Sequence, residues 1–140
     1  MDGGQGDLRD LRAWVSALGG VRDSVVAVSC VRDDAYALEL NEVFESVNPD
    51  QLHFAVSSAA FAGVRNAYEE PYRLGVDRWL ALLAIKARGE ESAVIIDVGT
   101  ACTIDIMDDG QHLGGYIFPG MALARDALGS NTDKIRFSKH

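Results

Sequence analysis

Residues 93–118 read AVIIDVGTACTIDIMDDGQHLGGYIF, and their apolar runs, separated by turn residues, predict three consecutive strands. The first strand ends at a short polar turn, residues 99–101, and the second covers residues 102–107. An Asp-Asp-Gly sequence at residues 108–110 is typical of a hairpin turn, and it leads into the third strand at residues 111–118. This stretch therefore predicts a meander of three antiparallel strands with polar residues gathered at its first turn.

Helices and shorter strands surround this stretch. A helix is predicted to begin near Val76, with Arg88 in its last turn and Gly89 as a stop signal. Its apolar stripe at helical spacing is Val76, Trp79, Leu80, Leu83 and Ala87. The alternation of helices and strands along the chain predicts an α/β fold rather than an all-α or all-β one. The other predicted elements are a helix at residues 7–18, a strand at 24–31, a helix from Asp33 or Asp34 through Phe44, a strand at 52–56, and a helix at 121–128 that ends at Gly129.

The composition argues against several classes of protein. The chain has 140 residues, 48% hydrophobic and 24% charged, which are ordinary values for a soluble globular protein. With 13 basic and 21 acidic residues, its net charge of −8 argues against a nucleic-acid partner. The longest apolar run, residues 79–85, is far shorter than the ~20 residues of a membrane span, so no membrane partner is expected. The widely separated Cys30 and Cys102 predict reduced thiols and a cytoplasmic protein.

The turn after the first strand of the meander has the chemistry of a phosphate site. Gly99 lets a phosphate approach the backbone closely, and Thr100 and Thr103 offer hydroxyl donors. Asp97 could coordinate a cation beside such a phosphate. The same residues also fit a plain hairpin turn with two threonines that favour β structure, and the short motif leaves both interpretations open.

A second polar motif, Gly75-Val76-Asp77-Arg78, stands at the start of a predicted helix. The carboxylate could take a proton from a hydroxyl group, and the arginine could bind an anionic group with both arms of its guanidinium. In the alternative interpretation Asp77 only satisfies free amides at the helix start, and Arg78 is a surface charge. Asp105 in the second strand of the meander is equally open, because it fits a structural role or a position facing a nucleotide.

Taken together, these motifs resemble those of the type III pantothenate kinase family, a branch of the acetate and sugar kinase/Hsp70/actin superfamily. The resemblance covers most of the chain, from residue 24 onward. Four segments match the family's motifs in order. They are a tyrosine segment at residues 66–71, a Gly-x-Asp-Arg pantothenate motif at 74–78, a second phosphate motif at 97–105, and an interface strand and turn at 114–120.

The resemblance implies a partial ribonuclease H-like fold of the actin-like ATPase superfamily, with a mixed sheet and flanking helices. Residues 1–90 would be the remainder of a first lobe that lacks the first phosphate-loop strands, and residues 91–140 would start a second lobe with the meander and a helix. The family's opening Asp-x-Gly-Asn-Thr motif is not in the sequence, so we expect a chain truncated at both ends and inactive alone. A naturally short, inactive relative is the alternative.

The resemblance also implies an activity, namely phosphorylation of pantothenate by ATP to 4'-phosphopantothenate in the first step of coenzyme A biosynthesis. By the same resemblance Asp77 would be the catalytic base that deprotonates the pantothenate hydroxyl. The pantothenate-binding residues would be Tyr68, Gly75, Val76, Asp77 and Arg78.

The nucleotide and ion contacts follow from the same family pattern. Gly99, Thr100 and Thr103 would bind the ATP phosphates, and Asp97 would bind a monovalent cation, potassium or ammonium. Mg²⁺ would accompany the nucleotide. Because members of the family are homodimers, we expect a homodimer with pantothenate bound near the interface. The alternative function is that of a regulatory relative, a transcriptional accessory factor, which would not need a complete nucleotide cleft.

Overall fold

The structure, a computed structural model, describes residues 8–17, 24–44 and 49–131. It divides into two compact units, Met1–Val56 and Ser57–His140. The lobe boundary expected from the resemblance lies inside the second unit and stays a prediction. None of the helices in the described ranges is long and apolar enough to cross a membrane.

The described residues of the first unit form two α-helices, a 3-10 helix and a pair of parallel strands. Its elements are α1 (Leu8–Ala17), β1 (Val26–Val28), α2 (Asp34–Val43), a 3-10 helix (Pro49–Gln51) and β2 (Leu52–Phe54). Asp33 is the N-cap of α2, because its side chain accepts a hydrogen bond from the Tyr36 amide at 3.0 Å. The helix start predicted from the sequence is therefore confirmed. Arg12 of α1 donates to the Glu42 carbonyl of α2 at 3.1 Å, which joins the two helices.

The second unit contains a five-stranded mixed sheet with helices packed on it. Its elements are β3 (Ala60–Phe61), β4 (Val64–Arg65), a 3-10 helix (Pro71–Arg73), α3 (Val76–Ala87), β5 (Ala93–Val98), β6 (Ala101–Asp108), β7 (Gln111–Pro119) and α4 (Met121–Asn131). The strand order is β3-β4-β7-β6-β5, in which β4 and β7 are parallel and the other neighbours are antiparallel. The predicted α/β class with a mixed sheet and flanking helices is confirmed at this level.

The three-stranded meander predicted from residues 93–118 is also confirmed. β6 pairs with β5 on one side and with β7 on the other, antiparallel in both cases. The β6–β7 turn uses Asp109 and Gly110 with φ values of 49° and 69°, the left-handed conformation that a tight hairpin turn requires. Strands β3 and β4 were not predicted, because strands of two residues are too short to show alternation.

One face of the meander, which we call the inner face, packs against α3. Trp79 and Leu82 of α3 are buried together with Met107 of β6 and Val64 of β4. The predicted apolar stripe of α3 included Leu80, but that side chain is 37% exposed. The buried stripe is therefore turned slightly from the predicted one, toward Leu82.

The last described helix is longer than the sequence predicted. We expected the helix to end at Gly129, but α4 continues to Asn131. A Cβ built on Gly129 meets nothing within 4 Å, and its φ is not in the left-handed region that a glycine helix stop uses. A glycine inside a helix is tolerated at a cost of about 1 kcal/mol relative to alanine, and here it does not end the helix.

Candidate functional site

The start of α3 carries the first group of predicted site residues. Gly75 is the N-cap of the helix, and Asp77 lies in its first turn with an exposed side chain. The Asp77 carboxylate folds back toward the chain, where its Oδ1 accepts a hydrogen bond from the Arg78 amide at 2.8 Å. A Cβ at residue 75 would lie 2.6 Å from that same oxygen, so only glycine leaves room for this carboxylate position.

Arg78 is a buried residue, not the surface charge of one sequence interpretation. It is 5% exposed, and its Nε and Nη2 donate to the two carboxylate oxygens of Asp105 at 2.8 and 2.6 Å. Its Nη1 reaches the Tyr68 hydroxyl at 3.5 Å. Both arms of the guanidinium thus bind inside the protein, and the fork geometry that could have bound an anionic substrate group binds Asp105 instead.

The ionisation of this pair follows from its hydrogen bonds. Burial by itself would raise the pKa of Asp105, but hydrogen bonds from His112 and Arg78 outweigh burial and hold that pKa below its ordinary value. The hydrogen bond to Asp105 raises the pKa of Arg78 above its ordinary value, against the opposing effect of burial. Both groups are therefore charged at neutral pH. Of the two roles left open for Asp105, the structure shows the structural one, because both carboxylate oxygens are hydrogen-bonded to Arg78 or His112 inside the protein.

His112 completes the cluster, and it was not among the residues predicted from the sequence. Its Nε2 lies 2.8 Å from Asp105 Oδ1, and its side chain is fully buried. Its ring stacks on Tyr68 with centroids 6.2 Å apart and planes 8° from parallel. We use the name buried cluster for Tyr68, Arg78, Asp105 and His112 together.

The second group of predicted site residues lies at the end of β5. Asp97, Gly99 and Thr100 are exposed, and Thr103 is half-buried opposite Asp97 in the β5–β6 register. The Gly99 amide already donates within the turn, to the Ala101 carbonyl at 2.9 Å. That amide is therefore already bonded, whereas the hydroxyl groups of Thr100 and Thr103 are further donors near this turn.

A glycine after β7 fixes the position of this turn. The Gly120 amide donates to the Thr100 carbonyl oxygen at 2.9 Å. A Cβ at residue 120 would lie 2.8 Å from the same oxygen, so the close approach requires glycine. The end of β7 thus holds the β5–β6 turn in place.

The strand register relates the two groups. Paired residues of neighbouring strands share a face, and side chains alternate along each strand. Asp97 pairs with Thr103, two residues from Asp105, so Asp97 belongs to the inner face on which α3 packs. The structure therefore puts the β5 carboxylate and the helix that carries Asp77 on the same side of the sheet.

A signal for His112 is present in the sequence only in part. Asp105 and Met107 lie on the same face of β6. His112 and Gly115, which pair with them in β7, can both lie on that face only if β7 contains an irregularity. The register shifts between Ile106 and Met107, where Ile106 pairs with Gly114 but Met107 pairs with His112. This bulge was not visible from apolar alternation, because Gly114 and Gly115 interrupt the pattern.

Comparisons with known proteins give a consistent result. The sequence profile of the type III pantothenate kinase family matches residues 7–140. A type III pantothenate kinase of Halorhodospira halophila is 44% identical over 126 residues, which cover 86% of this chain and 50% of the relative. A type III pantothenate kinase of Ectopseudomonas mendocina is 40% identical over 121 residues, covering 86% of this chain and 49% of that protein. The chain thus spans about half the length of the curated relatives it matches.

The fold also has a counterpart among solved structures. A Campylobacter jejuni protein, described as a conserved Baf family transcriptional activator on a provisional basis, superposes with a TM-score of 0.54. The match covers 88% of this chain and 53% of that one, with 21% sequence identity. At this identity the likeness concerns the fold alone.

Proposed function

The chain belongs to the type III pantothenate kinase family, and on that premise we propose that the protein transfers the terminal phosphoryl group of ATP to the hydroxyl group of pantothenate. The product is 4'-phosphopantothenate, and the reaction is the first step of coenzyme A biosynthesis. The observation that supports this most is the start of α3, where the exposed carboxylate of Asp77 adjoins the buried Arg78 within the matched residues.

Asp77 is the proposed catalytic base. In an in-line phosphoryl transfer the protein forms no covalent bond to the substrate. It accelerates the reaction by orienting the attacking hydroxyl and by neutralising charge. Asp77 is accessible, and one of its oxygens is already held by the Arg78 amide, so the carboxylate has a defined direction. It would accept the proton of the pantothenate hydroxyl as the oxygen attacks phosphorus.

The proposed pantothenate contacts are Tyr68 and residues 75–78. Gly75 and Val76 offer backbone groups at the helix start, where free amides favour anionic or polar ligands. The hydroxyl of Tyr68 is fixed by Arg78 at 3.5 Å, and its ring is stacked on His112. Because its guanidinium is bound to Asp105, Arg78 acts in this proposal through its backbone and by holding Tyr68, and not as a free cation.

The proposed nucleotide and cation contacts lie at the β5–β6 turn. Thr100 and Thr103 supply hydroxyl donors and Gly99 supplies a close backbone approach for the ATP phosphates, with Mg²⁺ bound to the nucleotide. The exposed carboxylate of Asp97 is an oxygen ligand of the type that hard cations prefer, so it fits a potassium or ammonium ion. A bound cation would supply positive charge next to the phosphates.

Several wider properties are part of the same proposal. We assign the chain to the ribonuclease H-like fold of actin-like ATPases, and its mixed sheet with flanking helices is compatible with that assignment. We further propose that the protein acts in the cytoplasm as a homodimer. The regulatory alternative is supported by likeness of fold alone, since the Campylobacter jejuni structure is 21% identical.

The experiment is an ADP-release assay of the longest reading frame that contains these 140 residues, with pantothenate, ATP and potassium. We expect turnover that depends on all three components. Asp77→Asn should lower kcat by about 100-fold or more, because general-base catalysis contributes 10²–10⁴-fold.

The matched control is Asp109→Asn, which removes a carboxylate from the exposed β6–β7 turn, where asparagine tolerates the observed φ of 49°. This control should leave kcat unchanged. Full activity in Asp77→Asn would remove Asp77 from the base role, and a wild-type protein without pantothenate-dependent turnover would disprove the kinase function itself.

A further inference from the structure

Two members of the buried cluster, Asp105 and His112, have no part in the proposed ligand contacts. Asp105 is 1% exposed and His112 is 0% exposed, so neither can reach a substrate directly. Buried polar side chains are retained at a cost in desolvation, and a fully bonded network of them fixes one arrangement of its members.

The proton of His112 can be assigned from its partners. The Ala67 amide donates to Nδ1 at 3.5 Å, so Nδ1 is the accepting nitrogen. The proton is therefore on Nε2, which donates to Asp105 Oδ1 at 2.8 Å. Both ring nitrogens are bonded, so the ring is held in one orientation.

The β7 bulge is what brings His112 to Asp105. Asp105 pairs with Gly115, and Met107 pairs with His112, so residues 112 and 115 both belong to the inner face. Residues three apart in a regular strand belong to opposite faces, and the extra residue in β7 removes that mismatch. The irregularity thus has a specific consequence, which is the hydrogen bond between His112 and Asp105.

Gly115 of β7 leaves room for the ion pair between Arg78 and Asp105. A Cβ there would lie 2.5 Å from Asp105 Oδ1 and 2.6 Å from Arg78 Nη2. The backbone of β7 therefore lies directly against the pair, with no space for any side chain. Asp105 Oδ1 accepts hydrogen bonds from both Arg78 and His112, so the orientation of its carboxylate depends on both donors.

We propose, building on the kinase function above, that His112 and Asp105 are positioning residues for the pantothenate site. His112 orients the Asp105 carboxylate, and Asp105 fixes the guanidinium of Arg78. Arg78 in turn holds two substrate-contacting parts at once, the hydroxyl of Tyr68 and the first turn of α3 that carries Asp77. The network thereby sets the distance between the tyrosine and the base, on which the fit of pantothenate depends.

The test uses His112→Phe, which keeps a flat ring to stack on Tyr68 but cannot donate to Asp105. His112→Gln is the rescue variant, because its amide can donate to the carboxylate. His53→Phe is the matched control, since His53 is exposed and lies in β2 of the first unit.

The first measurement is spectroscopic and needs no activity. In the ¹⁵N spectrum of the 140-residue chain, the Arg78 Nε–H should exchange slowly with water in the wild type and in His53→Phe. In His112→Phe the exchange should become about 10-fold faster or more, and His112→Gln should recover part of the protection. An Arg78 signal unchanged in His112→Phe would overturn the proposal.

The second measurement is the kinetics of the longest reading frame. We expect His112→Phe to raise KM for pantothenate about 10-fold and to leave KM for ATP unchanged, with partial rescue by His112→Gln. A purely structural role would instead lower the active fraction, and thus kcat, with both KM values unchanged, and that result would overturn the proposal. A wild-type protein without kinase activity would disprove the proposed function alone, because the Arg78 signal would still decide whether His112 orients the pair.

Discussion

Arg78 and Asp105 form a buried ion pair in which two guanidinium nitrogens meet two carboxylate oxygens, Nε to Oδ2 at 2.8 Å and Nη2 to Oδ1 at 2.6 Å. The pair joins the first turn of α3 to β6, so it ties the helix that carries the proposed base to the sheet. Each partner depends on the other, because a single unpaired charge at this depth is strongly unfavourable.

Arg78→Met should lower the free energy of unfolding by about 3–5 kcal/mol, because it leaves the Asp105 carboxylate buried without its main partner. Urea unfolding followed by the fluorescence of the buried Trp79 measures the loss. The control is Arg73→Met, which breaks an exposed pair with Glu70 and should cost less than about 1 kcal/mol. Equal effects of the two substitutions would contradict the role assigned to the buried pair.

Gly115→Ala should destabilise the protein by about 1–3 kcal/mol, because its methyl group would overlap the Asp105 and Arg78 side chains and push them apart. Gly129→Ala is the matched control, since that position lies inside α4 with open space around it. This second change should stabilise the protein by roughly 0.5–1 kcal/mol through helix propensity. Thermal unfolding of both variants is the measurement, and shifts of the same sign would refute the packing argument.

The stability should depend on Asp105 in acid. Hydrogen bonds from His112 and Arg78 outweigh burial and hold the pKa of Asp105 below its ordinary value of 3.8. A group whose pKa is lowered by folding contributes stability that is complete above its unfolded pKa and is lost as the pH falls through its folded pKa. The stability gap between wild type and Asp105→Asn should therefore be constant from about pH 7 to pH 5 and should shrink below about pH 4.

Calorimetric unfolding of both proteins across this pH range measures the gap. Asp109→Asn provides the control for carboxylate loss at an exposed site, and it should show no comparable change. A gap that widens as the pH falls would have the wrong sign for an ion pair of this kind.

Asp97→Asn should weaken the proposed dependence on a monovalent cation. Loss of the carboxylate removes a negative oxygen ligand, so the potassium concentration for half-maximal activity should rise by about 10-fold or more. Titration of potassium chloride into the kinase assay of the longest reading frame is the measurement, with choline chloride added to keep ionic strength constant. An unchanged potassium dependence would exclude Asp97 as the ligand.

Much of the fold was predictable because its signals are local. The helix that begins at Val76 follows from apolar spacing and a glycine stop, and Asp33 was one of two adjacent N-cap candidates. The meander follows from apolar runs and an Asp-Gly turn whose conformation depends on neighbouring residues alone. The candidate residues at 75–78 and 97–103 are likewise recognisable from residue type and order alone.

Other features depend on residues that are distant in the sequence. Arg78 and Asp105 are 27 positions apart, and Ala67 and His112 are 45 apart, so no local pattern relates them. The parallel pairing of β4 with β7, and the bulge that turns His112 inward, arise only when the sheet assembles.

The amino-acid sequence by itself thus determined the helices, the meander and the identity of the polar motifs, because these arise from backbone preferences and from the alternation of apolar residues over a few neighbours. The tertiary structure alone decided that Arg78 is buried, that Asp105 is its counter-ion and that His112 supports them both. Burial and pairing of charge depend on which side chains meet after the chain has folded, and water is excluded from them only then.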